Sequence, residues 1–214
     1  MANKSSALIF GASGAIGSAC LEVLEAEFFT FQGSRSKENL QEGGPFDAVV
    51  WAQGLNQTKQ FVQSTEEDWE LMMEANFHFV RRSVLSLIEN NKVRNPASFV
   101  FIGSVWSIFS KIDKSAYIVS KSALEGLARS LSVELAPTNI RVNCVLPGVI
   151  DNSMTRSNLT ELQLKRIQSE TPGQKLITAV QVANIVKFLC SKSSQGINGQ
   201  SIIVDSGWSI ARYI

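Results

Sequence analysis

Tyr117 and Lys121 stand four residues apart in the run Ser115-Ala-Tyr-Ile-Val-Ser-Lys-Ser-Ala-Leu. The stretch reads as helix, and that spacing puts both side chains on one face about one turn apart. A phenol, with a reference pKa of roughly 10, is a poor proton donor or acceptor near neutral pH. A fixed ammonium beside it stabilises the phenolate and lowers that value. Together they would form a general acid/base suited to a carbonyl or an alcohol. Two solvated polar residues on a helix would have the same spacing, so the pair gains meaning only from what surrounds it.

A second chemistry-bearing run lies near the start. A strand-like stretch ends in Phe10-Gly-Ala-Ser-Gly-Ala-Ile-Gly, with glycines at 11, 14 and 17, and a helical pattern follows at once. Glycines there permit a tight turn and let the backbone approach a pyrophosphate, while the helix N-terminus offers free N–H groups to the anion. Gly11, Ser13, Gly14, Ala15, Ile16 and Gly17 are therefore expected to bind a dinucleotide. The next strand, Thr30-Phe-Gln-Gly, leads into Ser34-Arg35-Ser36, where a dinucleotide fold meets the adenosine ribose. An acidic residue would chelate the ribose hydroxyls of NAD. An arginine among hydroxyls, with its fork of donors, suits a 2′-phosphate instead. Ser34 and Arg35 thus point to NADP(H) over NAD(H).

The elements that must position these residues alternate. Ala7–Phe10, Thr30–Gln32, Ala48–Trp51, Ser98–Ile102, Arg141–Val145 and Ser201–Val204 are short, nearly all-apolar runs, as expected of strands covered on both faces. Helical patterns lie near 15–27, 65–90, 116–136 and 178–191, with an amphipathic one near 157–170. Ser64-x-x-Glu67 could box the start of the second, Thr178 could cap the fourth, and Pro137 stops the third. The pattern predicts an α/β fold: one domain over 1–214, a Rossmann-like, doubly wound parallel sheet of six strands. At 214 residues with 44% hydrophobic content the chain can bury a sizeable core. A net charge of +1 gives no basic face for nucleic acid. No apolar run approaches the ~20 residues that span a membrane. Cys20, Cys144 and Cys190 are widely spaced and odd in number, which reads as reduced core thiols. The lone His78 supplies no multi-histidine metal site. With strand-like residues starting so early, a cytoplasmic protein without a signal peptide is the expectation.

Several ordered motifs together make the chain resemble the short-chain dehydrogenase/reductase family nearly end to end. The glycine-rich turn matches Gly11 to Gly17. The family's Asn-Asn-Ala-Gly motif corresponds, altered, to Trp51-Ala52-Gln53-Gly54. Its catalytic asparagine falls on Asn76 in Glu74-Ala-Asn-Phe, and its serine on Ser104 in Phe101-Ile-Gly-Ser, thirteen residues before Tyr117. Its Pro-Gly motif falls on Pro147-Gly148, and its closing motif resembles Gly199-Gln-Ser-Ile-Ile-Val-Asp-Ser-Gly-Trp. The resemblance implies catalytic roles for Asn76, Ser104, Tyr117 and Lys121. It implies cofactor contacts from Ala52, Gln53, Gly54, Tyr117, Lys121, Pro147, Gly148 and Val149. On this reading Ser104 polarises a substrate carbonyl, Tyr117 gives the proton, Lys121 lowers the tyrosine pKa and holds the nicotinamide ribose, and Asn76 orders a water.

The chain departs from the family pattern in four places. Ala15 takes the place of the middle glycine, Gly14 being one position early. Gln53 alters the second motif. Asn152-Ser153 stands where a threonine is common. Only fourteen residues run from Ser34 to Asp47, where the family places a further helix and strand, so the second strand should be an edge. Fourteen residues reach up to roughly 46–50 Å, enough to cross beneath the first strand and return. The shortened segment predicts an open adenine pocket and weaker cofactor binding. Val105, Trp106, Phe109, Val149, Ile150 and Met154, with 152–172 as a lid, form an apolar set suited to a hydrophobic carbonyl compound. The alternatives are a 3-oxoacyl thioester reductase or a redox-inert dinucleotide-binding or assembly protein. By family habit, a homodimer or homotetramer forms through 65–90, 116–136 and the apolar tail from Ser206.

Overall fold

The computed structural model describes residues 4–33 and 43–211. Its centre is a six-stranded, all-parallel sheet in the order β2-β1-β3-β4-β5-β6. The strands are β1 (Ser5–Phe10), β2 (Phe28–Gly33), β3 (Phe46–Trp51), β4 (Val93–Ile102), β5 (Ile140–Pro147) and β6 (Ser201–Val204). All six runs expected from the sequence are present, and β2 is an edge strand. Residues 34–42, between β2 and β3, lie outside the described residues.

The alternation of side chains along each strand makes two cores. On one face Ala7, Ile9, Ala48, Val50, Val100, Ile102 and Val145 pack against α1 (Ala15–Leu24) and α7 (Ala179–Cys190). On the other, Leu8, Phe10, Val49, Trp51, Phe99, Phe101 and Leu146 meet α3 (Phe79–Glu89) and α4 (Ser115–Glu134). Trp51 anchors the second face. Its ring contacts Phe10, Phe99 and Phe101, and its indole N–H donates to Ser83 Oγ at 2.7 Å. That bond satisfies a polar atom which burial would otherwise leave costly. Phe29 and Phe31 on β2 are partly exposed, as befits an edge covered on one side only.

Helix boundaries depart from expectation for local reasons. The first helix ends at Leu24 rather than at 27, because Phe28 already pairs in the sheet. The expected single helix over 65–90 is three pieces: α2 (Glu66–Met73), a π-helical turn over Glu74–His78, and α3. Its capping box is Thr65 with Asp68, not Ser64 with Glu67: Asp68 N–H donates to Thr65 Oγ1, and Thr65 N–H to Asp68 Oδ2. The amphipathic stretch near 157–170 is likewise two helices, α5 (Ser153–Asn158) and α6 (Glu161–Glu170). A second box, Thr160 with Gln163, restarts the chain after Leu159 leaves the helical region. Thr178 does cap α7, boxed with Gln181. No described helix is long and apolar enough to cross a membrane.

Candidate active site

The carboxyl ends of β1, β3, β4 and β5 open into a cleft of about 770 Å³. Such crevices at strand ends are where open α/β sheets take ligands. Its floor at β1 depends on two glycines. Gly11 has φ +79, and a Cβ there would stand 2.4 Å from the Gln53 backbone nitrogen. A Cβ on Gly17 would stand 2.0 Å from the Gly11 carbonyl oxygen. Bare glycines therefore let the turn, α1 and the segment after β3 close on one another. Gly14 is the N-cap of α1, and no side chain caps it. Its own N–H donates back to Gly11 O at 3.0 Å, and the helix end faces the cleft with the free N–H groups an anion can use.

Ser13, Gly14, Ala15, Ile16, Ala52, Gln53, Gly54, Pro147 and Gly148 line the cleft, together with Gly11. Gly17 and Val149 are not among the lining residues; Gly17 instead packs beneath the Gly11 carbonyl. Ser34 and Arg35 lie outside the described residues. Gln53 is 9% exposed, and neither its Nε2 nor its Oε1 has a hydrogen-bond partner.

At the other end of the cleft stand Ser104, Tyr117 and Lys121. Ser104 follows β4 in extended backbone, before a short 3₁₀ turn, and accepts from Trp106 N–H. Its hydroxyl lies near enough to Tyr117 to favour the phenolate. Lys121, one turn along α4 and 4% exposed, donates to the Ile102 carbonyl at 2.8 Å. Burial draws its pKa down to about 8, with the Cys144 thiol acting weakly the other way. The tyrosine corrects an expectation. Burial pushes the Tyr117 phenol above its ordinary value, and the nearby Ser104 hydroxyl only partly opposes this. Desolvation of the phenolate is the larger effect, and the Lys121 ammonium is engaged by the Ile102 carbonyl.

Asn76 lies in the π-helical turn, which sets it apart from the regular faces of α2 and α3. Such turns are frequent at functional sites. Its Oδ1 accepts from Leu55 N–H at 2.8 Å, and its Nδ2 donates to Leu55 O at 3.0 Å and Ser120 Oγ at 2.9 Å. Both amide protons are thus engaged by protein. Asn76 is a clamp between the cleft wall and α4. Gly54 completes it: a Cβ there would stand 3.0 Å from Asn76 Oδ1 and 3.2 Å from Lys121 Nζ.

Sequence reasoning missed Ser120, which takes the bond from Asn76 and donates to Tyr117 O at 2.8 Å. Its only signal is its place three residues after the tyrosine, where a hydroxyl bonds back to the preceding turn. Lys114 is 6% exposed, donates to Asn56 Oδ1 and Gln57 O, and sits 5.7 Å from the Tyr117 ring centroid, so it ties the cleft wall to the start of α4.

The expected substrate side is divided. Val105 is fully buried and belongs to the core. Trp106 packs edge-on against Trp208 at 5.2 Å, and the Trp208 indole donates to Glu170. Part of the apolar tail therefore packs on its own chain. Ile150, Asn152 and Ser153 border the cleft, so the segment expected as a lid begins at its rim. The Met154 side chain lies outside the described residues.

A family profile described as enoyl-(acyl carrier protein) reductase matches residues 35–209. The chain belongs to the short-chain dehydrogenase/reductase family. Nodulation protein G of Rhizobium sp. (strain N33) is 32% identical over 161 residues, covering 75% of this chain and 65% of that protein. The 3-oxoacyl-(acyl-carrier-protein) reductase MabA of Mycobacterium tuberculosis is 33% identical over 168 residues, covering 77% and 66%. The chain thus spans just under two thirds of the length of these curated relatives. A short chain dehydrogenase family protein from Francisella tularensis shares the fold with a TM-score of 0.86 at 22% identity, over 97% of this chain and 100% of that one. Family membership implies a nicotinamide dinucleotide. The residues present fit one: an uncapped helix end behind bare glycines for the diphosphate, an orphaned carboxamide midway, and a buried ammonium beside the phenol.

Proposed function

We propose that this chain is an NADPH-dependent oxidoreductase that reduces the ketone or other carbonyl of a small, hydrophobic compound, or oxidises the matching alcohol. The observation that carries the reading is the gathering of Ser104, Tyr117 and Lys121 at the head of one cleft. The bound dinucleotide supplies the hydride. Ser104 Oγ donates to the substrate oxygen and polarises the carbonyl. Tyr117 Oη, a phenol and so protonated at neutral pH, gives its proton to that oxygen. Lys121 stabilises the phenolate left behind and holds the nicotinamide ribose, while the Ile102 carbonyl keeps the ammonium in place. The uncapped N-terminus of α1, the segment Ala52–Gly54 and the Pro147-Gly148 turn would hold the cofactor. Preference for NADP(H) rests on Ser34 and Arg35 in the sequence.

Catalysis and dinucleotide binding share one domain, 1–214, on this reading. Exposed Leu71, Leu85, Val119 and Val133 on α2, α3 and α4 support a homodimer or homotetramer through those helices. The free, buried Cys20, Cys144 and Cys190 suit a reducing, cytoplasmic setting. A second reading, a 3-oxoacyl thioester reductase, is favoured by relatives bearing that name at 30% and 33% identity.

Titration with NADPH and NADH, followed by nicotinamide fluorescence, tests the cofactor. Tighter NADPH binding supports Arg35 as phosphate ligand. Binding of neither refutes the oxidoreductase and favours an assembly role. A panel of apolar ketones beside 3-oxoacyl thioesters then separates the two substrate classes.

A further inference from the structure

Gln53 carries the most conspicuous unmet chemistry among the described residues. It is 9% exposed, and both its carboxamide nitrogen and its oxygen are shielded from solvent without a hydrogen-bond partner. No other buried side-chain nitrogen or oxygen among the described residues is in that state. A buried orphan of this kind calls for a reason, because leaving both groups unmet is costlier than an apolar side chain of the same shape.

Its position supplies one. Gln53 lies at the carboxyl end of β3, against Gly11 of the β1 turn on one side and followed by Gly54, which borders Asn76 and Lys121, on the other. It therefore stands midway along the cleft, between the uncapped N-terminus of α1 and the Ser104–Tyr117 pair. A ligand reaching from one to the other must pass it.

The carboxamide also restricts what that ligand presents. Nε2 only donates and Oε1 only accepts. A phosphate offers acceptors alone and would leave Oε1 unmet. An apolar group would satisfy neither. Hydroxyl groups both donate and accept, so a sugar diol meets both halves at once.

We propose that Gln53 is a ribose-reading residue, its carboxamide turning from its shielded position to exchange a pair of hydrogen bonds with ribose hydroxyls of the dinucleotide. The inference rests on the cofactor reading above. It deepens that reading by placing part of the affinity on a side chain at a position where the related motif has alanine. In NADP(H) only the nicotinamide ribose keeps both hydroxyls, the adenosine ribose bearing the 2′-phosphate; in NAD(H) either ribose has this chemistry.

The test compares the wild-type chain with Gln53→Met, which keeps length and removes both hydrogen-bonding groups. Two quantities are read: the Tm of the unliganded protein, and the Kd for NADPH and NADH. The expected result is a Tm unchanged or raised, because an unsatisfied polar group is replaced by an apolar one, with Kd weakened about tenfold for two lost neutral hydrogen bonds. A Gln53 that merely supported the fold would behave oppositely, with Tm falling and Kd unmoved, and that result overturns the proposal. Reduced nicotinamide mononucleotide and ADP, each carrying one ribose, identify the source: the half whose binding weakens in Gln53→Met is the one read. If neither weakens, and NADPH binds both proteins alike, the inference fails while the cofactor reading stands. If the wild-type chain binds no dinucleotide, both fail together. Gln53→Ala, measured identically, serves should the methionine variant not fold.

Discussion

Asn76 donates to Ser120 Oγ across 2.9 Å, joining the π-helical turn between α2 and α3 to the helix that carries Tyr117. Ser120 passes the link on to the Tyr117 carbonyl. The same asparagine holds both backbone groups of Leu55 in the cleft wall. Three elements of the site therefore meet at one buried side chain. Asn76→Ala breaks three hydrogen bonds and leaves buried partners unmet, so it should destabilise the protein by about 2–3 kcal/mol. Ser120→Ala removes fewer bonds and should cost about 1 kcal/mol. Denaturant unfolding of both single variants and the double variant checks this. Additive losses would show that the two residues do not act as one clamp.

Tyr117→Phe should abolish turnover and leave dinucleotide affinity within about twofold, since only the hydroxyl is removed and the ring keeps its packing. Ser104→Ala should lower kcat by about a hundredfold, in line with loss of a donor to a developing oxyanion. Steady-state kinetics beside nicotinamide-fluorescence titrations read both quantities. Substantial turnover by the phenylalanine variant would remove Tyr117 from the proton path.

How much of this was legible in the sequence depended on what each signal encodes. The strands were readable because Ala7–Phe10, Ala48–Trp51 and Ser98–Ile102 are covered on both faces and so are apolar throughout. Ser104, Tyr117 and Lys121 were readable as a set because the resemblance fixes their spacing. The π-helical turn was not, since inserting one residue per turn over Glu74–His78 leaves the apolar pattern on either side intact. Thr65 and Ser64 compete as caps on equal chemistry, and only backbone direction chooses between them. The sign of the Tyr117 shift was also hidden. Spacing reveals a neighbouring cation but not the depth of burial, and here burial dominates. Gln53 showed only as an altered motif; its unmet carboxamide is a property of packing.

Lys121 should leave a mark on the pH dependence of stability. Its pKa falls from 10.5 to about 8 on burial. Between those values the unfolded chain binds the proton and the folded chain does not, so stability attributable to this group rises with pH across that window. Below pH 8 the charged form is present in both states, and the folded state bears the desolvation cost. Lys121→Met has no such group. Thermal unfolding from pH 7 to 10 should therefore show a slope in wild type less the slope in the variant that is positive between about pH 8 and 10. Equal slopes would mean that Lys121 keeps an ordinary pKa in the folded protein.

Gly17→Ala should be among the most damaging single-methyl additions in the chain. The new Cβ would lie 2.0 Å from the Gly11 carbonyl oxygen and 2.9 Å from Ala12 Cα. Both are backbone atoms and cannot swing aside, so α1 must move off the turn. Gly173→Ala is the matched control, because a Cβ there meets nothing within 4 Å. Overpacking of this kind costs typically about 1–3 kcal/mol and occasionally more. A shift of α1 also moves its uncapped N-terminus relative to the cleft, so dinucleotide affinity should fall along with Tm. Differential scanning calorimetry and NADPH titration of the two variants would test the coupling. A Gly17→Ala protein with wild-type Tm and wild-type affinity would show that the turn and the helix are not held in contact as described.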